Sequence, residues 1–156
     1  MADSLTAVQP TGWIRIDLTI DIEAPRERVW QAIVEETGAW WLPDFYATPN
    51  PETVLMEPVP GGRVFEKSTD GGGLLWYQIQ SIVPNESLHM TGQLAPPFGG
   101  PATSLLHLRL ESDQGKTVLT ITDCLFGNVD ESTGENIEAG WRMLYGDGLK
   151  KYVESK

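Results

Sequence analysis

The end of the chain carries one long helical pattern, and the residues before it predict mostly strands. Apolar residues there recur at spacings of three and four, which indicates a helix from a capping box at Ser132 and Glu135 to about Glu154. Its apolar face comprises Ile137, Trp141, Leu144, Gly148, Leu149 and Tyr152. A lone amphipathic helix must bury that face, so we expect it to pack against a sheet.

The preceding residues predict that sheet. Residues 13–23 alternate between apolar and polar side chains, as a half-buried strand does. Two short helical pieces follow at 25–36 and 39–46, and the proline- and glycine-rich stretch 47–62 is predicted to be mostly loop. Five further strands come next, namely "RVFEKST", "LLWYQIQSIV", "SLHMTGQ", "SLLHLRLE" and "KTVLTITDCLF". Hairpin-length connections predict antiparallel pairing, and a curved sheet wrapped around one helix leaves a concavity for a small apolar ligand.

Length and charge limit the class of protein. The 156 residues predict a single domain from 13 to 154 after a flexible segment from 1 to 12. A formal net charge of −11 disfavours binding to nucleic acid and to anionic membrane surfaces. No apolar run is long enough to span a membrane, and the first residues do not resemble a signal peptide. The expected location is therefore the cytoplasm.

Metal and thiol chemistry find little support in the sequence. His89 and His107 lie on different predicted strands without a third ligand nearby, whereas a zinc site needs three or four. The single cysteine, Cys124, lies inside a strand, where a free thiol usually packs as a small apolar side chain. We therefore expect neither a metal nor a cofactor.

Asp123 is the most informative polar residue. It shares strand parity with three apolar residues, so it points into the concavity if they do. The three are Leu119, Ile121 and Leu125. A buried carboxylate needs a partner or a raised pKa, so Asp123 is either an orienting or acid–base group for a ligand or a structural residue bonded to a loop amide or to Arg63.

Aromatic side chains are the remaining indication of a ligand cavity, because six tryptophans are more than a core of this size needs. Trp76 and Tyr77 alternate faces on one strand, so one of them is expected to face the cavity. The residues expected to line the cavity are Trp40, Trp41, Phe65, Trp76, Tyr77, Met90, Asp123, Trp141 and Tyr145.

The adjacent tryptophans of "GAWWLPDFY" pose a packing problem of their own. Neighbouring residues on a helix point about 100° apart, so one buried face cannot easily take both rings. We expect Trp40 to seal the core and Trp41, beside Leu42 and Pro43, to line or gate the cavity mouth.

Five segments resemble START-like SRPBCC domains, in the branch named after the activator of Hsp90 ATPase. In order they are "IEAPRERVWQAI", the "WW.P" motif, "GGRVFE", "GKTVLTITDCLF" and "GWRMLYGDGLKKYVE". The resemblance covers nearly the whole chain, from about Trp13 to Glu154. It implies an α+β helix-grip fold, in which a curved antiparallel sheet wraps around a long C-terminal helix and two short helices follow the first strand.

The same resemblance leaves the function open, because its members include lipid carriers, hormone receptors and aromatic cyclases. The function we predict is binding of a small hydrophobic or aromatic molecule between sheet and helix. One alternative is a cyclase- or hydrolase-like enzyme that uses Asp123 with Tyr77, Tyr145 or Arg63. Another is a module that interacts with a chaperone ATPase, and a homodimer is a further expectation.

Overall fold

Seven strands form one antiparallel sheet in the computed structural model, which describes residues 7–155. The strands are β1 (Gly12–Ile22), β2 (Pro51–Met56), β3 (Arg63–Ser68), β4 (Gly73–Val83), β5 (Ser87–Leu94), β6 (Ala102–Asp113) and β7 (Lys116–Gly127). Their order across the sheet is β1-β7-β6-β5-β4-β3-β2, so every neighbour after the first pair is also the neighbour in sequence. The sheet curves, and its concave face receives the C-terminal helix.

Two short helices follow β1, as predicted, and one long helix ends the chain. The short ones are α1 (Arg26–Glu35) and α2 (Thr37–Trp40), after which a 3₁₀ turn covers Pro43–Phe45. The C-terminal helix runs through α3 (Glu131–Arg142), a π-helical segment (Met143–Lys150) and α4 (Lys151–Glu154). The architecture is therefore the expected helix grip.

The apolar face of the C-terminal helix packs where the sequence pattern indicates. Leu144 and Leu149 are fully buried in the core, together with Leu119 and Ile121 from β7. Gly148 brings the helix close to α2, because a Cβ at this position would lie 2.6 Å from the carbonyl oxygen of Trp40. The absence of a side chain at Gly148 thus sets how near the helix lies to α2.

Two details of the sequence interpretation are wrong. The stretch 47–62, expected to be mostly loop, contains β2, which is the edge strand next to β3 in the sheet of residues 7–155 and begins with a proline that an edge strand tolerates. The capping box uses Asp130 and Thr133 rather than Ser132 and Glu135, because the helix begins at Glu131 and Asp130 accepts the Thr133 backbone N–H at 2.9 Å.

The single domain from 13 to 154 stays a prediction, and the strands and helices of the described residues run from Gly12 to Glu154. β1 begins at Gly12, and the first six residues of the segment expected to be flexible (1–12) lie outside the described residues. Among residues 7–155, no helix combines the length and the apolar character that crossing a membrane requires.

Candidate functional site

A cavity of about 420 Å³ lies between the sheet and α3, which is a suitable size for a small organic molecule. Its wall is mainly apolar and is built by β4, β5, β7, α3 and the 3₁₀ turn after α2. The wall includes Phe45, Leu74, Leu94, Leu125, Ile137 and Trp141. Leu75 and Phe98 also line it but are about half exposed, so they mark its opening to solvent.

One end of the cavity is polar, and Asp123 lies at its centre. The carboxylate is buried, with 1% of its surface exposed, and its Oδ1 accepts a hydrogen bond from the Ser104 hydroxyl at 2.6 Å. Its Oδ2 accepts the Trp141 indole N–H at 2.8 Å, and the Tyr77 hydroxyl lies 2.8 Å from Ser104 Oγ. We call Tyr77, Ser104, Asp123 and Trp141 the polar cluster; all four line the cavity.

Burial perturbs the acid–base properties of this cluster. It raises the pKa of Asp123, although the hydrogen bonds from Ser104 and Trp141 oppose the rise. Burial, reinforced by the negative charge of Asp123, also raises the pKa of both Tyr77 and Tyr145. No cation pairs with Asp123 among the described residues, since its two partners are a hydroxyl and an indole.

Arg63 is not the partner of Asp123, contrary to one of the alternatives from the sequence. Its guanidinium pairs with Glu57 at 2.7 Å on the exposed surface and holds the pKa of that carboxyl at about 2. Its guanidinium carbon also lies 4.5 Å from the centre of the Phe65 ring.

Both Trp76 and Tyr77 line the cavity, although strand alternation predicted only one of them. The reason is a β-bulge in β4: Val64 pairs with Tyr77 and Phe65 pairs with Leu75, so Trp76 is an extra residue between two paired positions. A bulge breaks the alternation of side chains, which lets two successive rings reach the same wall.

Trp40 and Trp41 lie one layer behind this wall. Both are buried and line a second, much smaller space of about 20 Å³, together with Met90 and Tyr145. Trp41 therefore does not line the larger cavity as expected. Its N–H bonds to the carbonyl of Phe45 at 3.3 Å, and its ring packs edge-on against Trp76 with the two centroids 5.3 Å apart.

Phe65 lines neither space, so its expected place in the cavity wall is wrong. In β3 the buried positions are Val64, Glu66 and Ser68, and Phe65 has the opposite parity. The short strand mixes apolar and charged residues on both parities, so its inward face could not be read from the pattern.

The two histidines stack across β5 and β6, with ring centroids 3.8 Å apart. Their strand positions alternate with the buried Leu88, Met90, Leu106 and Leu108, which puts both rings on the outer face of the sheet. Between residues 7 and 155, no three His, Cys, Asp or Glu side chains come together where they could hold a metal ion.

Comparison with known proteins identifies the family of this chain. Residues 23–154 match the family model described as Activator of Hsp90 ATPase homolog 1-like protein. The chain belongs to this family. No curated protein significantly matches the sequence of this chain.

Solved structures share the fold of this Activator of Hsp90 ATPase homolog 1-like chain. An uncharacterized protein from Rhizobium leguminosarum has a TM-score of 0.70 at 17% identity, over 96% of this chain and 100% of that one. The Aha1 dimer from Colwellia psychrerythraea has a TM-score of 0.61 at 21% identity, over 90% and 96%. Ara h 8.0201 has a TM-score of 0.71 at 13% identity, over 93% and 100%. Identities this low establish a common fold and nothing about the ligand.

Sequence reasoning missed several residues of the site, among them the polar Gln93, Ser104 and Asn136 of the cavity lining. Ser104 links Tyr77 to Asp123, and its parity with Leu106 and Leu108 on β6 is a signal that could have found it. Gly140 of α3 also lines the cavity opposite Phe45 and leaves space there that a side chain would occupy.

Glu66 is another polar residue that sequence reasoning missed, and it holds part of the cavity wall. Its fully buried carboxylate accepts the backbone N–H of Ala47 at 2.8 Å and of Thr48 at 2.7 Å, and also the Thr48 hydroxyl. Burial alone would raise the pKa of Glu66, but these bonds outweigh it, and the Trp76 indole N–H nearby adds to the lowering. Because Ala47 lines the cavity, Glu66 positions the wall segment that follows Tyr46.

Proposed function

We propose that the chain binds a small, mainly apolar or aromatic molecule in the 420 Å³ cavity between the sheet and α3. The observation that carries the proposal is an open apolar space with polar groups collected at one end, which is the usual composition of a small-molecule site. The resemblance to START-like domains implies the same class of ligand. Asp123 then acts as an orienting group at the polar end.

Gly140 offers a direct test, because it faces the cavity without filling it. A Cβ at this position would lie 3.8 Å from Phe45 Cε1, an ordinary contact, so the larger side chain of a Gly140→Leu variant would extend into the space. Leucine is also a better helix former than glycine, so the variant is expected to fold. Isothermal titration with a panel of naphthalene derivatives should give binding to the wild type and at least about tenfold weaker binding to the variant.

Gly146→Leu is the matched control. Gly146 lies in the same C-terminal helix and lines neither cavity, and a Cβ added there would meet no neighbouring side chain or strand within 4 Å. This control should bind the panel as the wild type does. Equal binding by wild type and Gly140→Leu, or no binding to the wild type, would overturn the proposal.

The enzyme alternative has less support than binding. Each carboxylate oxygen of Asp123 already accepts one hydrogen bond, and Arg63, which the enzyme alternative includes, bonds to Glu57 instead. Turnover of a bound compound by the wild type but not by Asp123→Asn would favour it. The chaperone-ATPase partner, the homodimer and the cytoplasmic location stay predictions, which co-purification, sedimentation and imaging test respectively.

A further inference from the structure

The polar cluster has a defined direction of hydrogen bonding. An indole N–H can only donate and an ionised carboxylate can only accept, so Trp141 and Ser104 both donate to Asp123. A serine hydroxyl has a single hydrogen, and that hydrogen points to Asp123 Oδ1. The contact of 2.8 Å between Tyr77 and Ser104 must therefore use the Tyr77 hydrogen, with Ser104 Oγ as the acceptor.

Among the described residues, this direction leaves the polar cluster without a hydrogen that it can donate into the cavity. The hydrogens of Tyr77, Ser104 and Trp141 are all directed along the chain towards Asp123, while the Tyr77 oxygen and the carboxylate keep free lone pairs. The Trp76 indole N–H lies near the Glu66 carboxylate and outside the polar cluster, and its nitrogen has no accessible surface.

Two amides complete the polar lining. Gln93 and Asn136 are exposed and lie at the solvent side of the cavity, where water can satisfy them. They therefore do not change the balance of donors and acceptors at the buried end.

We propose that the cavity selects neutral apolar ligands that carry a hydrogen-bond donor, such as a phenol, an alcohol or an aromatic amine. Such a group donates to Tyr77 or Asp123 and completes the cluster, whereas an ether or a ketone of the same shape finds no donor. A carboxylate ligand is disfavoured further, because it brings a second negative charge next to Asp123. This inference rests on the proposed binding function and names the ligand class of the same site.

An Asp123→Asn variant reverses the direction of the chain without changing its shape. The Trp141 N–H requires an acceptor, so it fixes the amide oxygen on its own side and turns the amide NH₂ towards Ser104. Ser104 then donates to Tyr77, and the Tyr77 hydroxyl is released to donate into the cavity. The variant should therefore favour acceptor ligands over donor ligands.

The test uses three compounds of one shape, namely naphthol, methoxynaphthalene and acetylnaphthalene, titrated calorimetrically above neutral pH. The wild type should bind naphthol at least about tenfold more tightly than methoxynaphthalene, the size of effect expected for a hydrogen bond to such a cluster. In Asp123→Asn that preference should disappear and acetylnaphthalene should gain affinity. In Tyr77→Phe the preference should weaken without any gain for acetylnaphthalene.

The outcomes separate this inference from the function on which it rests. Equal wild-type affinities for naphthol and methoxynaphthalene, or an unchanged preference in Asp123→Asn, overturn the inference while leaving ligand binding in place. Failure of all three compounds to bind the wild type overturns both.

Discussion

The two buried carboxylates of this protein should respond in opposite ways when each is replaced by its amide. Glu66 is surrounded by donors, and its two oxygens accept from Ala47 N, Thr48 N and the Thr48 hydroxyl. A glutamine has only one acceptor oxygen, so in Glu66→Gln its NH₂ group must face at least one backbone N–H. Asparagine at position 123 meets no such conflict, because one of its partners can accept.

The expected cost of Glu66→Gln follows from the bonds it removes. Losing one bond to a charged acceptor costs about 1.5–3 kcal/mol, and the unpaired buried N–H adds to that cost, while removal of a buried charge offsets part of it. We expect a net loss of about 2–3 kcal/mol in the free energy of unfolding at neutral pH. For a chain of this length that lowers the melting temperature by roughly 5–10 °C. Asp123→Asn should melt at or above the wild-type temperature.

The contributions of Glu66 and Asp123 to the free energy of unfolding depend on pH with opposite signs. Because the pKa of Glu66 lies below its ordinary value of 4.5, its stabilising contribution is complete above pH 4.5 and is lost as the pH falls below it. Because the pKa of Asp123 lies above its ordinary value of 3.8, its ionisation lowers stability as the pH rises from 3.8 through the folded pKa. Both variants should therefore approach the wild type in acid.

Thermal and urea unfolding followed by circular dichroism measure these differences. Glu52→Gln is the control, since Glu52 lies on the edge strand in an exposed ion pair with Lys67 at 3.1 Å, which is worth little. The reasoning is refuted if Glu66→Gln stays within about 0.5 kcal/mol of the wild type, or if Asp123→Asn loses as much stability as Glu66→Gln.

Three further predictions concern the helix, the cluster and the outer face. Gly148→Ala should lower the free energy of unfolding by about 1–3 kcal/mol through its contact with the Trp40 carbonyl, whereas Gly146→Ala should not; urea titration distinguishes them. Trp141→Phe removes one donor from Asp123 and should raise the pKa of that carboxyl further, measured by NMR titration. Burial, with nearby His89 and Arg109, lowers the pKa of His107. The stability of the wild type should therefore fall as the pH drops below 6.5, and that of His107→Gln should fall less. Melting curves recorded on both sides of that pH measure the difference.

The fold could be predicted because its long elements have regular patterns. β7 pairs with β1 and β6 without a register shift, so the parity argument that turned Asp123 inward holds along the whole strand. The C-terminal helix likewise keeps its apolar face from Trp141 to Leu149 even though its middle is π-helical.

The site was harder to predict because it lies where the patterns break. The bulge at Trp76 in β4 depends on pairing with β3, which no local sequence shows. Trp41 is held behind the cavity wall by the carbonyl of Phe45, four residues further along the chain, and by the ring of Trp76, which only the tertiary structure brings close. Glu66 looks like a surface residue in sequence, and its burial depends on donors some twenty residues earlier in the chain.

The indole N–H signals in a ¹H–¹⁵N NMR spectrum test the central claim most directly, because the six tryptophans report on different parts of the molecule. Trp76 and Trp141 line the cavity, whereas Trp13 is 71% exposed on β1 and Trp30 is buried in α1 away from it. Signals assigned by single Trp→Phe variants should shift for Trp76 and Trp141 on addition of naphthol, while those of Trp13 and Trp30 stay in place. A shift confined to Trp13, or no shift at saturating naphthol, would contradict a ligand cavity between the sheet and the helix.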